Sequence, residues 1–168
     1  VGGSALVVML VLTAAAFVEG MRGTLIQSTP SNNVILLSTG SEESLERSEI
    51  SASVPIQARA SIPGIREELG VPFISPEINV AIVMHTQDQP ERDLRGVIRG
   101  ITPQAFLVHP QVTITDGRSP RQGHNELMVG RLASEMLGLS EAELALGSIL
   151  WIDDYSWEIV GRFSAPNT

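Results

Sequence analysis

The longest uninterrupted apolar stretch lies near the amino terminus. Residues 5–18 read ALVVMLVLTAAAFV, in which Thr13 is the only polar residue, and Glu19 and Arg22 then mark an abrupt return to polar sequence. A helix of these 14 residues spans about 21 Å at 1.5 Å per residue, whereas the apolar core of a bilayer is about 30 Å thick. As written, the stretch is too short to cross a membrane.

Three interpretations of this stretch are open. The one we favour is the outer part of a transmembrane helix whose beginning has been cut off, since the chain starts with Val1 rather than Met; that helix would continue to about Gln27 and end at Pro30. The second is the apolar region of a signal peptide with a cleavage site at 14–16 (AAA), although a basic leader is absent. The third is a core helix that is covered on all faces. The first two place the rest of the chain outside the cytoplasm.

Shorter apolar runs bounded by turn signals predict a series of strands. After a turn at 29–33 (TPSNN), the run Val34–Leu37 has the length of a buried strand. Ile78–Met84 is the best candidate for a central strand, and Arg95–Ile101 follows it after a hairpin or longer loop. The pattern then predicts an edge strand, a short strand and a closing pair around the turn Asp153-Asp154-Tyr155: Val112–Thr115, Glu126–Val129, Ser148–Ile152 and Trp157–Phe163.

Cap and turn residues predict short helices between the strands. Ser53, followed by Pro55, suits the start of a helix that stops before Pro63-Gly64, and IREELG at 65–70 adds one more turn. The acidic segment that precedes this helix, residues 39–53, is predicted to form an exposed loop or a frayed helix.

Two further helical turns are predicted in the second half of the chain. Thr102 is expected to cap one of them, with Pro103 at the first position. Residues 131–139 (RLASEMLGL) have Gly138 near their end and apolar residues at helical spacing, namely Leu132, Met136 and Leu139. Strands and short helices are thus intermixed without long crossover helices, which predicts an α+β fold with a mixed sheet, arranged in either one or two lobes. We expect residues 1–19 to be the truncated membrane helix and 20–168 to be an extracytoplasmic domain.

The composition excludes several classes of enzyme. The 168 residues include 11 Arg, no Lys and no Cys. Without lysine the chain cannot form a phosphate-binding P-loop, a Schiff base or an acylating Ser-x-x-Lys element. Without cysteine it has no thiol nucleophile, no cysteine-bound zinc and no disulfide. The net charge of −8 and the scattered arginines also disfavour nucleic-acid binding.

The side chains capable of chemistry form no catalytic or metal-binding pattern. His85, His109 and His124 lie in separate loops or strand ends, without the close spacing of metal ligands. Adjacent acidic residues diverge, so none of these pairs predicts the facing carboxylates of a hydrolase: Glu42-Glu43, Glu67-Glu68 and Asp153-Asp154. We therefore predict no catalytic, cofactor-binding or metal-binding residue, and no cofactor.

Some residues have both a binding and a structural interpretation. Arg118 and Arg121 either present a small site for an anion or pair with nearby carboxylates, and we expect the pairing. Gly96 and Gly100 are expected to mark a bulge or a close approach within a strand. Two aromatic residues that flank the last turn are expected to pack in the hairpin rather than stack on a ligand: Trp151 and Trp157.

Several motifs, in their order along the chain, resemble the periplasmic core domain of MacB/FtsX-type ABC transporter permeases. The match begins at the membrane segment followed by NNVILLSTGS and continues through PFISPE at 72–77 and RGITPQAF at 99–106. Its most specific part is 117–163, with Gly117-Arg118, Gly123, Glu126, VGRLA at 129–133, Gly138-Leu139, Gly147 and WEIVGRF at 157–163. The resemblance covers essentially the whole chain; the Pro63-Gly64 interruption departs from the pattern.

The resemblance implies a domain inserted between the first two transmembrane helices of a permease in the bacterial inner membrane, on its periplasmic side. It implies as partners an ATP-binding subunit or domain, a second permease copy and, in efflux systems, a periplasmic adaptor. The domain would move when ATP binds and would perform no covalent chemistry. The alternatives are a secreted or membrane-anchored binding module without catalysis and, supported only by the abundance of carboxylates, a secreted or anchored enzyme that uses an Asp/Glu pair.

Overall fold

The structure is a computed structural model that describes residues 7–16, 33–41 and 47–165. These residues fall into two units, and the first contains residues 7–16, 33 and 34. Residues 7–16 are helical with exposed side chains. None of the described helices is long and apolar enough to span a membrane. The predicted continuation to Gln27, the end at Pro30 and most of the turn before Asn33 lie outside the described residues.

The second unit is organised around a six-stranded mixed sheet, which a separate antiparallel hairpin precedes. The strands of the hairpin are β1 (Glu67–Glu68) and β2 (Val71–Pro72), and those of the sheet are β3 (Ile78–Thr86), β4 (Leu94–Gly100), β5 (Thr113–Gly117), β6 (Glu126–Gly130), β7 (Ile149–Ile152) and β8 (Tyr155–Ser164). The strand order in the sheet is β4-β3-β7-β8-β5, and β6 also pairs with β8. The β6–β8 pair is parallel and the other neighbours are antiparallel.

The strands of the large sheet lie close to their predicted positions, and the α+β prediction with a mixed sheet is confirmed. The unit also contains three short helices, one before the first strand and two between strands of the large sheet: α1 (Val54–Ser61), α2 (Ala105–Val108) and α3 (Ala133–Leu137). The predicted turn between the last two strands is also present, since Asp153 and Asp154 both have positive φ angles, 51° and 65°. Two such residues in succession form the tight turn whose twist matches that of paired strands.

The hydrophobic core lies against β7 and β8. Leu150 and Ile152 point inward while Trp151 between them is exposed, as expected for alternating faces of a strand. Leu144 and Ile159 are completely buried. The same cluster includes residues from β3, β4, β6 and the segment after α3: Met84, Leu94, Val129 and Leu139. The core therefore connects β3 and β4 at one side of the large sheet with β6 and β8.

The predicted strand at Val34–Leu37 is wrong. Residues 33–38 have no regular secondary structure, and Val34 is 84% exposed. An apolar run becomes a strand only when a neighbouring strand satisfies its backbone groups. No strand of the described residues pairs with this run, so its composition alone was misleading.

The predicted extra helical turn at 65–70 is also wrong, because this segment begins the β1–β2 hairpin. Leu69 and Gly70 have φ angles of 50° and 81°, which a right-handed helix cannot accommodate. The amide of Phe73 donates to the carbonyl of Arg66 at 2.8 Å. The Leu-Gly dipeptide is thus a hairpin turn, a signal that the helix-like spacing concealed.

The positions of the short helices agree with the predictions better than the predicted capping interactions at their first residues do. Ser53 precedes α1 as expected, with proline in the first turn, but its side chain makes no capping bond to the helix backbone. Thr102 does not cap α2, whose preceding residue is Gln104. Helix α3 is shorter than the predicted 131–139 and ends where Gly138 adopts a left-handed φ of 65°.

Candidate functional site

The described residues contain no group of three or more His, Asp or Glu side chains that could hold a metal ion. His85 lies beside Asp93, with Nδ1 and Oδ1 3.8 Å apart, and His109 bonds to Glu77. His124 belongs to the exposed loop between β5 and β6. Each histidine thus has its own surroundings, in agreement with their separate positions in the sequence.

The most strongly bound carboxylate is that of Glu126, at the start of β6. The guanidinium of Arg118 donates to both of its oxygens, Nη1 to Oε2 at 2.6 Å and Nη2 to Oε1 at 2.7 Å. Arg121 adds its backbone amide at 2.8 Å and its own Nη2 at 2.7 Å. The hydrogen bonds from Arg118, followed by those from Arg121, hold the pKa of Glu126 far below its ordinary value.

Glycine conformation positions this cluster. Gly117 ends β5 with a φ of 69°, and a Cβ there would overlap the carbonyl oxygen of Val160. The amide of Arg118 then donates to that same carbonyl at 3.0 Å. The loop after β5 is therefore held against β8, and this places both arginines around Glu126. The expected pairing of Arg118 and Arg121 with a carboxylate is confirmed.

A second carboxylate cluster, centred on Glu77 just before β3, was not predicted. Its Oε1 accepts a hydrogen bond from Ser75 at 2.7 Å and lies 2.9 Å from His109 Nε2, while Arg99 Nε donates to Oε2. Burial raises the pKa of Glu77, but the Ser75 bond and the charges of Arg99 and His109 outweigh burial, so the net pKa lies below its ordinary value. The cluster ties the start of β3 to β4 and to the end of α2.

The carboxylates of both clusters are poorly suited to acid–base catalysis. An ionised carboxylate that already accepts bonds from arginine is a poor general acid or base near neutral pH, because its proton affinity is low. Two residues of the adjacent acidic pairs also lie next to arginines. Glu67 pairs with Arg59, Glu68 lies 3.9 Å from Arg66, and Glu42-Glu43 lies outside the described residues.

The exposed apolar side chains on the two faces of the β3–β4 hairpin are the other distinctive feature. Ile78 and Val97 are 66% and 65% exposed, respectively, although both belong to paired strands. Gly96 is explained by close approach, because a Cβ there would lie 3.0 Å from Met84 Cε and 3.3 Å from Leu137 Cδ2. The β3–β4 register contains no bulge. The exposed apolar side chains make this hairpin a candidate binding surface.

The two tryptophans lie on opposite sides of the closing hairpin. Trp157 packs against the core, as expected, although its indole N–H has no hydrogen-bond partner among the described residues. Trp151 is partly exposed on the other face of β7 and lies opposite His85 and Ser156 in the strand register.

Comparisons with known proteins were made for the whole chain. Residues 1–168 match the family model described as the MacB-like periplasmic core domain. No functionally curated protein matches the chain.

Two similar solved structures are the periplasmic region of MacB from Actinobacillus actinomycetemcomitans and the extracellular domain of the noncanonic ABC-type transporter YknZ from Gram-positive bacteria. The first is 14% identical with a TM-score of 0.44 and covers 55% of this chain and 43% of its own. The second is 16% identical with a TM-score of 0.47 and covers 67% of this chain and 60% of its own. The matched region thus spans less than two thirds of either structure. Because the family model covers all 168 residues, the chain belongs to the family of MacB-like periplasmic core domains of ABC transporter permeases.

Proposed function

We propose that this domain transmits conformational work from cytoplasmic ATP binding and hydrolysis to export or to a periplasmic partner. The observation that carries the proposal is the family match over residues 1–168. The structure is compatible with a mechanical role, since the core connects β3 and β4 with β8. In addition, the carboxylates of Glu77 and Glu126 link loops to strands through hydrogen bonds. The domain would be non-catalytic.

The amino-terminal residues would attach the domain to the bacterial inner membrane. In this proposal residues 1–19 form the outer part of the first transmembrane helix and 20–168 form the periplasmic core domain. The exposed apolar side chains of residues 7–16 support it, because such a surface is unfavourable in water and favourable in lipid. A longer reading frame should supply basic and apolar residues before Val1 and further membrane segments after Thr168.

The proposed partners are an ATP-binding subunit or domain, a second permease copy and a periplasmic adaptor. The absence of lysine supports the first of these. A P-loop requires a lysine that reaches the β- and γ-phosphates, so ATP binding of that kind has to reside in another segment or polypeptide.

The test uses the intact permease together with its ATP-binding partner in lipid nanodiscs. This chain has no cysteine, so Leu69→Cys adds a single thiol at the fully exposed tip of the β1–β2 hairpin, where a spin label can be attached. We expect a dipolar signal between two permease copies, and a change in the label separation when a non-hydrolysed ATP analogue binds. The control is the same complex with the P-loop lysine of the ATP-binding partner replaced by alanine.

Two results would contradict the proposal separately. A separation that is identical with and without the nucleotide would exclude transmission of movement to the domain. A complex that contains both proteins but gives no dipolar signal between copies would exclude the second permease copy in this assembly.

A further inference from the structure

Strand β4 is an edge of the large sheet. It pairs with β3 over Leu94–Gly100 and comes first in the strand order. No other strand in the described part of the chain lies against its outer edge. Every second residue of such a strand directs its backbone N–H and C=O groups away from the sheet, where another extended chain can bind them.

The side chains of β4 give this edge a definite chemical character. Arg95, Val97 and Arg99 alternate along the strand and share one face of the sheet. Val97 is 65% exposed. Arg95 is exposed and forms no ion pair with a described residue, whereas Arg99 is bound to Glu77. The edge is thus a basic, apolar, basic stripe on a chain whose net charge is −8.

This pattern disfavours a second copy of the same strand as the occupant. Antiparallel self-pairing centred on Val97 would place Arg95 of each copy directly opposite Arg99 of the other. Like charges at opposite positions of a strand pair are destabilising, and opposite charges are stabilising by roughly 0.2–1 kcal/mol per pair. The stripe instead complements a strand that carries acidic residues two positions on either side of an apolar residue.

The other face of the hairpin is uncovered near the end of β4. Gly100 has no Cβ, and one built there would have only Ile78 within 4 Å, at 3.7 Å from its Cβ. The neighbouring side chains of Ile78 and Val80 are exposed. With no proline in β4 and no bulge in its register, the edge lacks two of the usual obstacles to strand addition.

We propose that the free edge of β4 binds an extended segment of a partner protein with the pattern acidic-x-apolar-x-acidic, by antiparallel strand addition. Backbone hydrogen bonds provide the general attraction, and the two carboxylates select the register by lying opposite Arg95 and Arg99. The proposal concerns which protein docks on this surface, and it stands apart from the proposed transmission of ATP-driven movement.

The test measures peptide binding to the full 168-residue chain in a mild detergent micelle. The probe is a nine-residue peptide with the central sequence Glu-Thr-Val-Thr-Glu, and its control replaces both glutamates with lysine. We expect the acidic peptide to bind, to bind more weakly as salt is raised, and to slow amide hydrogen exchange in β4. The lysine peptide should not bind.

Charge reversal at Arg95 makes the test specific. Arg95→Glu should weaken binding of the acidic peptide about tenfold, because one of the two attractive charge pairs becomes repulsive. Arg131→Glu, an exposed arginine outside β4, is the matched control and should leave that affinity unchanged. Protection of amides away from β4, or equal affinities in the wild type and Arg95→Glu, would overturn the proposal. A negative result in the nucleotide experiment above would leave this outcome unaffected.

Discussion

Two regions of the large sheet differ in how completely their side chains are satisfied by the chain itself: β8 with its neighbours β5 and β6, called the β8 end, and the β3–β4 hairpin, called the β3–β4 end. Around β8, Ile159 is fully buried and Glu126 accepts bonds from two arginines. On the β3–β4 hairpin, Ile78 and Val97 remain largely exposed and the edge of β4 is open. The β8 end is therefore expected to contribute most to stability, whereas the exposed positions of the β3–β4 hairpin, unlike its core residues Met84 and Leu94, should be free to change with little effect on folding.

The largest effect is expected from removing the same side chain at the two ends. Ile159→Ala should lower the free energy of unfolding by about 4 kcal/mol, since it removes a buried side chain and leaves a cavity. Ile78→Ala should cost less than about 1 kcal/mol, because most of that side chain already contacts water. Urea unfolding followed by circular dichroism measures both. Equal losses would show that the two ends do not differ in the way proposed.

The next effect comes from adding a methyl group to a glycine at each end. A Cβ at Gly161 would overlap the backbone carbonyl of Arg118 and lie 3.0 Å from Met128 Cγ. Backbone atoms cannot move aside cheaply, so Gly161→Ala should destabilise by about 3 kcal/mol. Gly100→Ala has space, and alanine is the better strand residue, so its stability should be unchanged or up to about 0.5 kcal/mol higher. Thermal unfolding of the two variants measures both changes in stability. If Gly100→Ala is as destabilising as Gly161→Ala, the end of β4 is more tightly covered than the exposure of its neighbours indicates.

The sequence contained enough local information to predict the elements at both ends of the sheet. Ile78–Met84 and Arg95–Ile101 were recognised as strands because apolar residues recur in short runs between turn signals. The Asp153-Asp154 turn was recognised for the same reason. Local signals failed at Val34–Leu37, where no described strand lies beside the apolar run, and at the β1–β2 hairpin, where helix-like spacing concealed the Leu-Gly turn.

The tertiary features needed information that a local pattern does not contain. The parallel β6–β8 pair joins segments about thirty residues apart, and nothing in either strand specifies its direction. The pairing of two arginines with Glu126 was predictable from the sequence, because Arg118 and Arg121 lie a few residues before it in one loop. The contacts of Glu77 were not predictable, because Arg99 and His109 reach its carboxylate only through the β3–β4 register and the position of α2.

The acid sensitivity of the fold should come mainly from the β8 end. Glu126 has a depressed pKa, so its contribution is present above the ordinary value of 4.5 and is lost as the pH falls towards the lower folded-state pKa. Glu126→Gln should therefore reduce the fall in Tm between pH 6 and pH 3.5, and also lower Tm at pH 6, because two arginines lose their charged partner. Glu77→Gln should do the same to a smaller extent.

The control for this experiment is Glu91→Gln, which alters an exposed loop residue and should leave the pH dependence of Tm as it is in the wild type. If Glu126→Gln retains the full acid-induced fall in Tm, the arginine cluster does not account for the sensitivity. If Glu77→Gln has the greater effect, the β3–β4 end contributes more to the acid response than its exposure indicates.

The smallest effect should be a gain in stability, at the exposed β1–β2 hairpin. Leu69 is 99% exposed, so replacing it removes no packing, yet its φ of 50° is unfavourable for a leucine. Leu69→Asn creates the Asn-Gly pair that this turn prefers and should stabilise the hairpin by about 0.5 kcal/mol.

Hydrogen exchange of the Phe73 amide, which bonds across the hairpin to Arg66, reports this local change even where global unfolding does not. Leu69→Thr is the control: a β-branched residue tolerates positive φ poorly and should speed the exchange. Slower exchange in the asparagine variant, with an unchanged midpoint of urea unfolding, would show that the hairpin opens independently of the β8 core. A shift of both together would instead mean that the exposed hairpin and the buried end of the sheet unfold as one cooperative unit.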